Sequence, residues 1–506
     1  MTTSVASALD WWARTKGDQA VLVFGDERIS HRELRNWSGR VAARLARADG
    51  VAEGDRVAVL GGNTPQWPAA AFGVIKAGGV LVPLNPRLVA PELVKLVRDA
   101  GVSVVVAEEA HEPVLAQVRA LGAEFSVVPM GEIAALRPGG DEAFRVDRRP
   151  AEPVAILYTS GSTGLSKGVI CTNRTLLDIV FEASLVEEGL RPGARSLLLL
   201  PLCFTPGLVW GLVMTTVLGG TLVVEPELNP ERAVALLDRH QIQVLFGVPL
   251  IYEVMARAPS FPAADLSHLR TAVVGGAAVS VPLLRAWGDK GVKLRQIYGM
   301  TEAGGIATAT WPAEAEEHPD SCGSGSVFTD VIVAGPDGRE RTPGEAGEIL
   351  VRGPGVTPGY WNDPDATARA LAGGWLHSGD LGRRDADGRL AFVDRIKDLI
   401  ISGGINISPI EIEAVLAAIP GVAEATVISA ADEKFGETPA AILYVTEDID
   451  AAKIVAVCAE QLADYKVPRY VVLRREPLPR LPSGKISKTA IRAEYPDVPA
   501  RYPRVR

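Results

Sequence analysis

Short runs of apolar, β-branched residues alternate with helix-like stretches over the first two thirds of the chain, and this alternation constrains the fold more than any other feature. The helix-like stretches include Ala90–Ala100 and Glu231–Arg239. Strands that alternate with helices form largely parallel sheets covered by helices, so the sequence predicts an α/β fold with parallel αβα sheets. The predicted strands include Arg56–Leu60, Val80–Pro83, Ser103–Ala107, Ala155–Thr159, Thr221–Val224, Gln243–Phe246 and Thr271–Val274.

The last third of the chain has two further patterns. From Val331 to Arg352 the sequence has short strand patterns joined by turns, which predict a small antiparallel, β-barrel-like subdomain. After Asp394, an amphipathic helix at Pro409–Ala418 is followed by strand and helix patterns that suit a compact α+β domain. A chain of 506 residues is long enough for two or three domains, and we place the last boundary within Asp394–Asp398.

Composition and charge exclude several classes of protein. The chain carries 61 acidic and 52 basic side chains, a net charge of −9, which argues against binding of nucleic acid across a broad basic face. Its four cysteines form no C-x-x-C pair, so neither a zinc site nor a disulfide framework is expected. The first residues, Met1–Lys16, contain no pattern of a secretory signal. These observations predict a cytoplasmic protein.

One charge-free segment, Ser196–Val224, is long enough to span a bilayer. Prolines and glycines interrupt it, among them Pro201, Pro206 and Gly211. That broken pattern favours a buried turn, helix and strand over a membrane helix. We therefore expect no integral membrane span.

The strongest local motif is a loop that follows the predicted strand Ala155–Thr159 and is rich in glycine and hydroxyl side chains. Backbone N–H groups beside glycines can approach phosphate oxygens, hydroxyls add donors, and a lysine adds a positive charge. The loop is not a Walker A motif, because the G-x-x-x-x-G-K-[ST] pattern is absent. A solvated turn is the alternative interpretation. The candidate phosphate-binding residues are Thr159, Ser160, Gly161, Ser162, Thr163, Gly164 and Lys167.

The same stretch matches the G-x-S-x-G nucleophile elbow of hydrolases, with Ser166 as the serine. That elbow needs a strand that ends at the serine and turns directly into a helix. The strand here is predicted to end near Thr159, well before Ser166. A serine hydrolase that acts through Ser166 is therefore a distant alternative.

Three further motifs carry residues suited to nucleotide chemistry. In the first, Tyr298 can stack on a base, while Thr301 and Glu302 can contact a phosphate and a hard cation. In the second, Asp380 can accept hydrogen bonds from two ribose hydroxyls, or can simply cap its turn. In the third, Lys485 lies in a loop near the C-terminus, where a lysine is ordinarily solvated.

In order and spacing, these motifs resemble the adenylate-forming superfamily of acyl-CoA synthetases, amino-acid adenylation domains and beetle luciferases. The resemblance extends from Thr64–Leu93 to Lys488. It implies an AMP-forming acid–thiol ligase that uses ATP, Mg²⁺ and coenzyme A. In this chemistry a carboxylate attacks the α-phosphorus of ATP, pyrophosphate leaves, and a thiol then displaces AMP from the acyl carbon. Positioning and charge neutralisation suffice, so no protein nucleophile is required.

The resemblance also implies roles for individual residues. Lys485 would bridge the forming acyl–phosphate bond, Thr301 would bond the α-phosphate, and Glu302 would hold magnesium. The other nucleotide contacts would come from small residues at two strand ends, an adenine-stacking ring, and a ribose-binding aspartate with its arginine: Gly275, Gly276, Ala277, Tyr298, Gly299, Asp380 and Arg395.

In members of this superfamily, the C-terminal domain alternates between two orientations over one active site. The resemblance accordingly implies a large N-terminal domain over residues 1–394, a hinge over residues 395–398 that contains Lys397, and a small mobile C-terminal domain over residues 399–506. Rotation about the hinge would withdraw Lys485 and bring in a loop with Gly403 and Gly404, which would wall the path of the thiol.

The predicted partners are a small-molecule carboxylic acid and coenzyme A, and a homodimer is compatible with the sequence. The segment Cys203–Leu212 has no acidic residue to pair with an amino-acid ammonium group, and we expect no carrier domain after Lys488. Both points favour a stand-alone acyl-CoA synthetase. An apolar pocket, suited to an aromatic, alicyclic or medium acyl acid, is predicted from Phe204, Thr205, Pro206, Trp210, Phe246 and Ile306, although any of these can be plain core.

Three positions depart from the pattern of the family. Phe204 stands where many members carry a histidine or another aromatic residue, and Ser166 replaces the proline that commonly precedes the loop lysine. Gly323-Ser-Gly325 replaces the usual G-x-P. An enzyme competent for only one half-reaction, or one that uses a carrier-protein thiol, is therefore the alternative within the family. A nucleotide-binding protein without turnover is a third interpretation.

Overall fold

A computed structural model describes residues 3–159, 166–277, 279–402, 405–481 and 484–506. Helices and strands alternate as the sequence predicts, so the α/β class with parallel sheets is confirmed. The chain divides into two compact units. The first comprises Met1–Ile332, Leu350–His377 and Asp387–Leu390, and the second comprises Val333–Ile349, Ser378–Ala386 and Ala391–Arg506.

The strands, in chain order, are β1 (Ala20–Phe24), β2 (Glu27–Ser30), β3 (Arg56–Leu60), β4 (Val80–Leu84), β5 (Val102–Ala107), β6 (Ser126–Pro129), β7 (Pro153–Thr159), β8 (Lys167–Thr172), β9 (Arg195–Leu198), β10 (Thr221–Val224), β11 (Val244–Gly247), β12 (Thr271–Gly275), β13 (Leu294–Tyr298), β14 (Thr308–Ala309), β15 (Asp330–Ala334), β16 (Ala346–Arg352), β17 (Leu376–Arg384), β18 (Leu390–Arg395), β19 (Ile400–Ser402), β20 (Ile405–Ile407), β21 (Val422–Asp432), β22 (Gly436–Val445) and β23 (Tyr470–Arg474).

The α-helices are α1 (Val5–Thr15), α2 (His31–Arg47), α3 (Gln66–Lys76), α4 (Ala90–Ala100), α5 (Glu112–Ala120), α6 (Met130–Ala135), α7 (Asn173–Val186), α8 (Met214–Val217), α9 (Pro230–Arg239), α10 (Pro249–Ala256), α11 (Val281–Gly288), α12 (Pro364–Ala370), α13 (Pro409–Ala417), α14 (Ala451–Gln461), α15 (Lys488–Glu494) and α16 (Val498–Arg501).

Two sheets build most of the first unit. One has the strand order β6-β5-β3-β4-β7-β8 and is parallel except for the antiparallel pair β7–β8. The other has the order β14-β13-β12-β11-β9-β10-β1-β2, with antiparallel pairs only at its two edges. The main core includes buried residues of α2 and α3, among them Trp37, Trp67 and Phe72.

Two smaller sheets follow. Strands β15–β18 form a four-stranded sheet where the sequence predicts a β-barrel-like subdomain, and the division between the two units passes through these strands. Strands β19–β23 have the order β20-β19-β22-β21, with β23 paired to β22, and helices α13–α16 accompany them. The C-terminal residues thus have the predicted α+β composition.

The charge-free segment Ser196–Val224 folds into the core of the first unit. It contains most of β9, a π-helical segment Pro206–Val213, α8 and β10, which confirms the predicted turn, helix and strand. Residues 207–213 are all buried. In the described part of the chain, none of the helices combines the length and the apolarity that crossing a bilayer requires.

Candidate functional site

Two neighbouring strand ends of the larger sheet carry small residues and one aromatic ring. Strands β12 and β13 are parallel and end at Gly275 and Tyr298, so both ends lie at the same edge of the sheet. Gly276 (φ +84°) and Ala277 are exposed, whereas Tyr298 is buried. A Cβ atom on Gly299 would lie 2.0 Å from the carbonyl oxygen of Gly305, so only glycine fits there. This sheet edge is where α/β proteins bind nucleotides.

A short 3₁₀ turn, Thr301–Ala303, follows directly and positions the two predicted catalytic residues of the first unit. The hydroxyl oxygens of Thr301 and Thr205 lie 2.7 Å apart in a hydrogen bond. Glu302 is buried, and its Oε1 accepts a hydrogen bond from the hydroxyl of Tyr360 at 3.0 Å. The turn therefore presents one hydroxyl and one oriented carboxylate.

The hairpin β7–β8 brings the ends of the predicted phosphate loop together. Thr159 pairs with Lys167 in the antiparallel register, and the Lys167 ammonium lies 4.7 Å from the centroid of the Tyr360 ring. The predicted loop residues Ser160, Gly161, Ser162, Thr163 and Gly164 lie outside the described residues.

The residue after Ser166 begins strand β8, not a helix. The strand-to-helix elbow that a serine nucleophile needs is therefore not formed at Ser166.

Tyr360 is a candidate site residue that the sequence interpretation missed. It joins two predicted residues, because its hydroxyl donates to Glu302 and its ring lies under the Lys167 ammonium. Burial and the neighbouring Glu302 carboxylate raise the pKa of Tyr360, so the phenol stays a neutral donor. The available signal was Gly359-Tyr360, a glycine–aromatic pair like the one at Tyr298-Gly299.

The second unit holds the other predicted charged residues. The Arg395 guanidinium lies 3.6 Å from the carboxylate of Asp380, which is itself buried. Lys485 is exposed in a tight turn closed by the hydrogen bond from the Leu481 N–H to the Lys485 carbonyl oxygen, at 2.7 Å. Although the side chain is exposed, neighbouring protein atoms partly desolvate its ammonium and lower the pKa of Lys485; the Arg395 charge lowers the pKa further, and the Asp380 charge opposes both effects. These three charges therefore interact within one unit.

The predicted hinge residue Lys397 is exposed and lies between two buried, hydrogen-bonded carboxylates. Asp394 accepts hydrogen bonds from the Ser408 hydroxyl at 2.6 Å and from the Ile410 N–H at 3.3 Å, at the start of α13. Asp398 pairs with an arginine of α15 at 3.0 Å. The predicted loop residues Gly403 and Gly404 lie outside the described residues.

A cavity of about 320 Å³ lies in the first unit, and three of the six predicted pocket residues line it: Trp210, Phe246 and Ile306. The Trp210 and Phe246 rings pack at 5.3 Å between centroids. The Trp210 Nε1–H donates to the Gly304 carbonyl oxygen at 3.0 Å, which ties this wall to the turn that carries Thr301 and Glu302.

The other three predicted pocket residues lie elsewhere. Thr205 lines a separate cavity of about 10 Å³, together with Thr301. Phe204 is partly buried against the main core, and Pro206 begins the π-helical segment, so neither is among the residues that line the larger cavity.

Comparison with known proteins gives family matches over both parts of the chain. Residues 9–361 match the family model of the AMP-binding enzymes, and residues 411–485 match that of the AMP-binding enzyme C-terminal domain. A feruloyl-CoA synthase of Amycolatopsis sp. is 38% identical over 485 residues, which cover 96% of this chain and 97% of the relative. A long-chain-fatty-acid–CoA ligase of Mycobacterium tuberculosis is 34% identical over 487 residues, covering 93% and 94%.

A solved structure is also similar over nearly the full length. The o-succinylbenzoate CoA synthetase of Bacillus subtilis, in complex with its acyl-adenylate intermediate, superposes with a TM-score of 0.88. The two chains are 29% identical, and the match covers 96% of this chain and 97% of the other.

Proposed function

Since the chain belongs to the AMP-binding enzyme family, we propose that it activates a carboxylic acid with ATP and then transfers the acyl group to coenzyme A. The relatives bear out the predicted class of enzyme, an AMP-forming acyl-CoA synthetase, and its use of ATP, Mg²⁺ and coenzyme A. The identity of the acid, the roles of individual residues and the domain movement belong to the proposal.

In the first half-reaction, a carboxylate oxygen of the acid attacks the α-phosphorus of ATP, and the bond to pyrophosphate breaks. In the second, a thiolate attacks the acyl carbon, and AMP leaves with the electrons of the broken bond. We assign Thr301 to the α-phosphate and Lys485 to the negative charge that develops between acid and phosphate. Preorganised donors of this kind stabilise the transition state without a protein nucleophile.

The main support for the proposal is that one short segment of the chain carries both the predicted catalytic residues and part of the cavity wall. Thr301 and Glu302 begin this segment, and residues 306–309 line the 320 Å³ cavity a few positions later. An acid held in the cavity therefore lies beside the residues assigned to its activation. Because Trp210, Phe246 and Ile306 supply much of the wall, we propose an acid with an aromatic, alicyclic or medium acyl body.

The residues present suit the nucleotide and its metal. Tyr298 and the exposed Gly276–Ala277 turn offer a ring and open backbone for the base. Glu302 offers one carboxylate with a neutral phenol behind it, and Mg²⁺ is commonly held by one or two carboxylates together with substrate phosphates. When bound, Mg²⁺ would neutralise phosphate charge. Asp380, supported by Arg395, would accept hydrogen bonds from the ribose hydroxyls.

We further propose that the second half-reaction needs a rotation about Lys397. The exposed position of Lys397, between the anchored Asp394 and Asp398, supports a short pivot. Rotation would remove Lys485 and admit the loop that contains Gly403 and Gly404. The predicted domain limits, a cytoplasmic location and a homodimer stay predictions.

The test is an AMP-release assay on a panel of carboxylic acids, with and without coenzyme A. Acid-dependent AMP release that needs coenzyme A, together with a thioester product, is expected. Pyrophosphate exchange without thioester would indicate an enzyme of one half-reaction or one that uses a carrier-protein thiol. No exchange and no thioester with any acid would contradict the proposal.

A further inference from the structure

The cavity of the first unit is apolar along most of its wall but carries three charged side chains: Glu182, Glu187 and Arg295. All three residues are buried. Glu182 belongs to α7, Glu187 follows directly after its end, and Arg295 is the second residue of β13. Burying charges is costly unless each is paired, so the donors and acceptors of this cluster must be accounted for.

The two carboxylates have their hydrogen-bond partners within the protein. Glu182 accepts from the Phe328 N–H at 2.6 Å and from the Thr329 hydroxyl at 2.8 Å. Glu187 accepts from the Thr271 hydroxyl at 3.4 Å and pairs through its other oxygen with Arg295. Neither carboxylate therefore needs a ligand.

Arg295 keeps spare donors. Its Nη1 pairs with Glu187, and its Nε–H donates to the carbonyl oxygen of Thr310. Its Nη2 makes no hydrogen bond to any residue that the structure describes, although the side chain is buried and lines the cavity. A guanidinium has five N–H donors in a fixed fork, so this end of the cavity offers donors for an oxygen of a ligand.

Arg295 lies on β13 away from the proposed reacting end of the acid. Arg295 and Tyr298 are three positions apart, and at the usual rise of roughly 3.3 Å per residue their Cα atoms lie about 10 Å apart. The proposed reacting end is near Tyr298 and Thr301. We therefore place an oxygen bound by Arg295 at the end of the acid away from its carboxylate, as in a six-membered ring with a short acidic side chain.

We propose that Arg295 forms a polar subsite for a neutral oxygen, such as a hydroxyl, alkoxy or keto group, at the far end of the acid. This inference rests on the proposed function, because it takes the cavity to hold the acid. The oxygen is neutral because Glu187 already balances the charge of Arg295 and Glu182 adds a second negative charge to the wall. The net negative charge of the wall would repel a second carboxylate on the acid.

The test compares acids that differ only at the far end: 3-phenylpropenoic acids with a 4-hydroxy, 4-methyl or 4-carboxy group. A hydrogen bond to a charged group accounts for about a 10- to 100-fold preference. We expect kcat/KM to be higher by this factor for the 4-hydroxy acid than for the 4-methyl acid, and lowest for the 4-carboxy acid. Equal values for the hydroxy and methyl acids would overturn the subsite.

The variant Arg295→Met/Glu187→Gln removes the donor without leaving an unpaired buried charge. Its preference for the hydroxy over the methyl acid is expected to fall to about unity, and a retained preference would overturn the proposal. Should this variant not fold, Arg295→Lys keeps the charge but lacks the fork, and the preference should fall at least about threefold. An unchanged preference for the hydroxy acid in Arg295→Lys would also overturn the proposed subsite.

Ser326→Ala is the matched control, since Ser326 is an exposed donor among the residues that line the same cavity. It should keep the preference, and loss of the preference in this variant would assign the oxygen to Ser326 and overturn the role of Arg295.

Binding without ATP separates this inference from the proposed function. Trp210 and Trp311 line the cavity, so their fluorescence can report the Kd of each acid in the absence of turnover. Tighter binding of the hydroxy acid, lost in the double variant, would support the subsite even if no acid were adenylated. Equal Kd values for the hydroxy and methyl acids would overturn the subsite even if both acids were turned over.

Discussion

Tyr360→Phe removes a single hydroxyl, and with it the 3.0 Å hydrogen bond to the Glu302 carboxylate. The ring stays, so the contact with the Lys167 ammonium is kept. A hydrogen bond to a charged group contributes about 1.5–3 kcal/mol, and about 1.4 kcal/mol corresponds to a factor of ten. If Glu302 holds Mg²⁺, losing its orienting donor should weaken the apparent Mg²⁺ affinity about 10- to 100-fold, the usual effect of removing such a partner.

The assay is pyrophosphate exchange with a turned-over acid, measured over a range of Mg²⁺ concentrations. Tyr360→Phe should raise the Mg²⁺ concentration that gives half-maximal rate, and Tyr360→Leu should also lower the rate at saturating Mg²⁺, because the ring beside Lys167 is lost. Tyr158→Phe is the matched control, since its hydroxyl donates at 2.5 Å to another carboxylate, that of Asp99. An unchanged Mg²⁺ requirement in Tyr360→Phe would refute the assigned role of Glu302.

Three further predictions concern the rest of the chain. Lys485→Ala should lower the rate of adenylation about 100-fold or more, because one donor to the transition state is lost. The rate of thioester formation from supplied acyl-adenylate should be largely unchanged. Equal loss of both rates would contradict the role assigned to Lys485. Burial lowers the pKa of His31 from 6.5 to about 4, so protonation favours the unfolded chain. As the pH falls from 7 to 4, the free energy of unfolding, measured by denaturant titration, should fall by about 3 kcal/mol more in the wild type than in His31→Met. Asp394→Ala removes the acceptor at the start of α13 and should lower the unfolding free energy by about 1–2 kcal/mol, measured in the same way.

Elements whose signals are local could be predicted to the residue. Strand Arg56–Leu60 and helix Ala90–Ala100 have the predicted bounds, and Gly101, in a left-handed conformation with φ +64°, ends the helix where the pattern stops. The C-terminal sequence predicts strands near Ala425–Ser429 and Ala440–Val445, which are shorter than β21 and β22. These two strands pair over ten positions, including polar ones such as Thr438. Cross-strand pairing, which a single sequence does not reveal, extends them.

The same distinction explains which candidate site residues could be proposed from the sequence. Thr301, Glu302 and Asp380 lie in motifs whose residue types suit phosphate, cation and ribose, so local chemistry was sufficient to propose them as site residues. Arg295 and Glu187 are far apart in the chain and meet only because the end of α7 packs beside β13. The predicted catalytic motifs are local in sequence, whereas the proposed polar subsite at Arg295 depends on residues that only the fold brings together. The proposed selectivity for the acid therefore rests on long-range contacts, which motifs in a single sequence do not reveal.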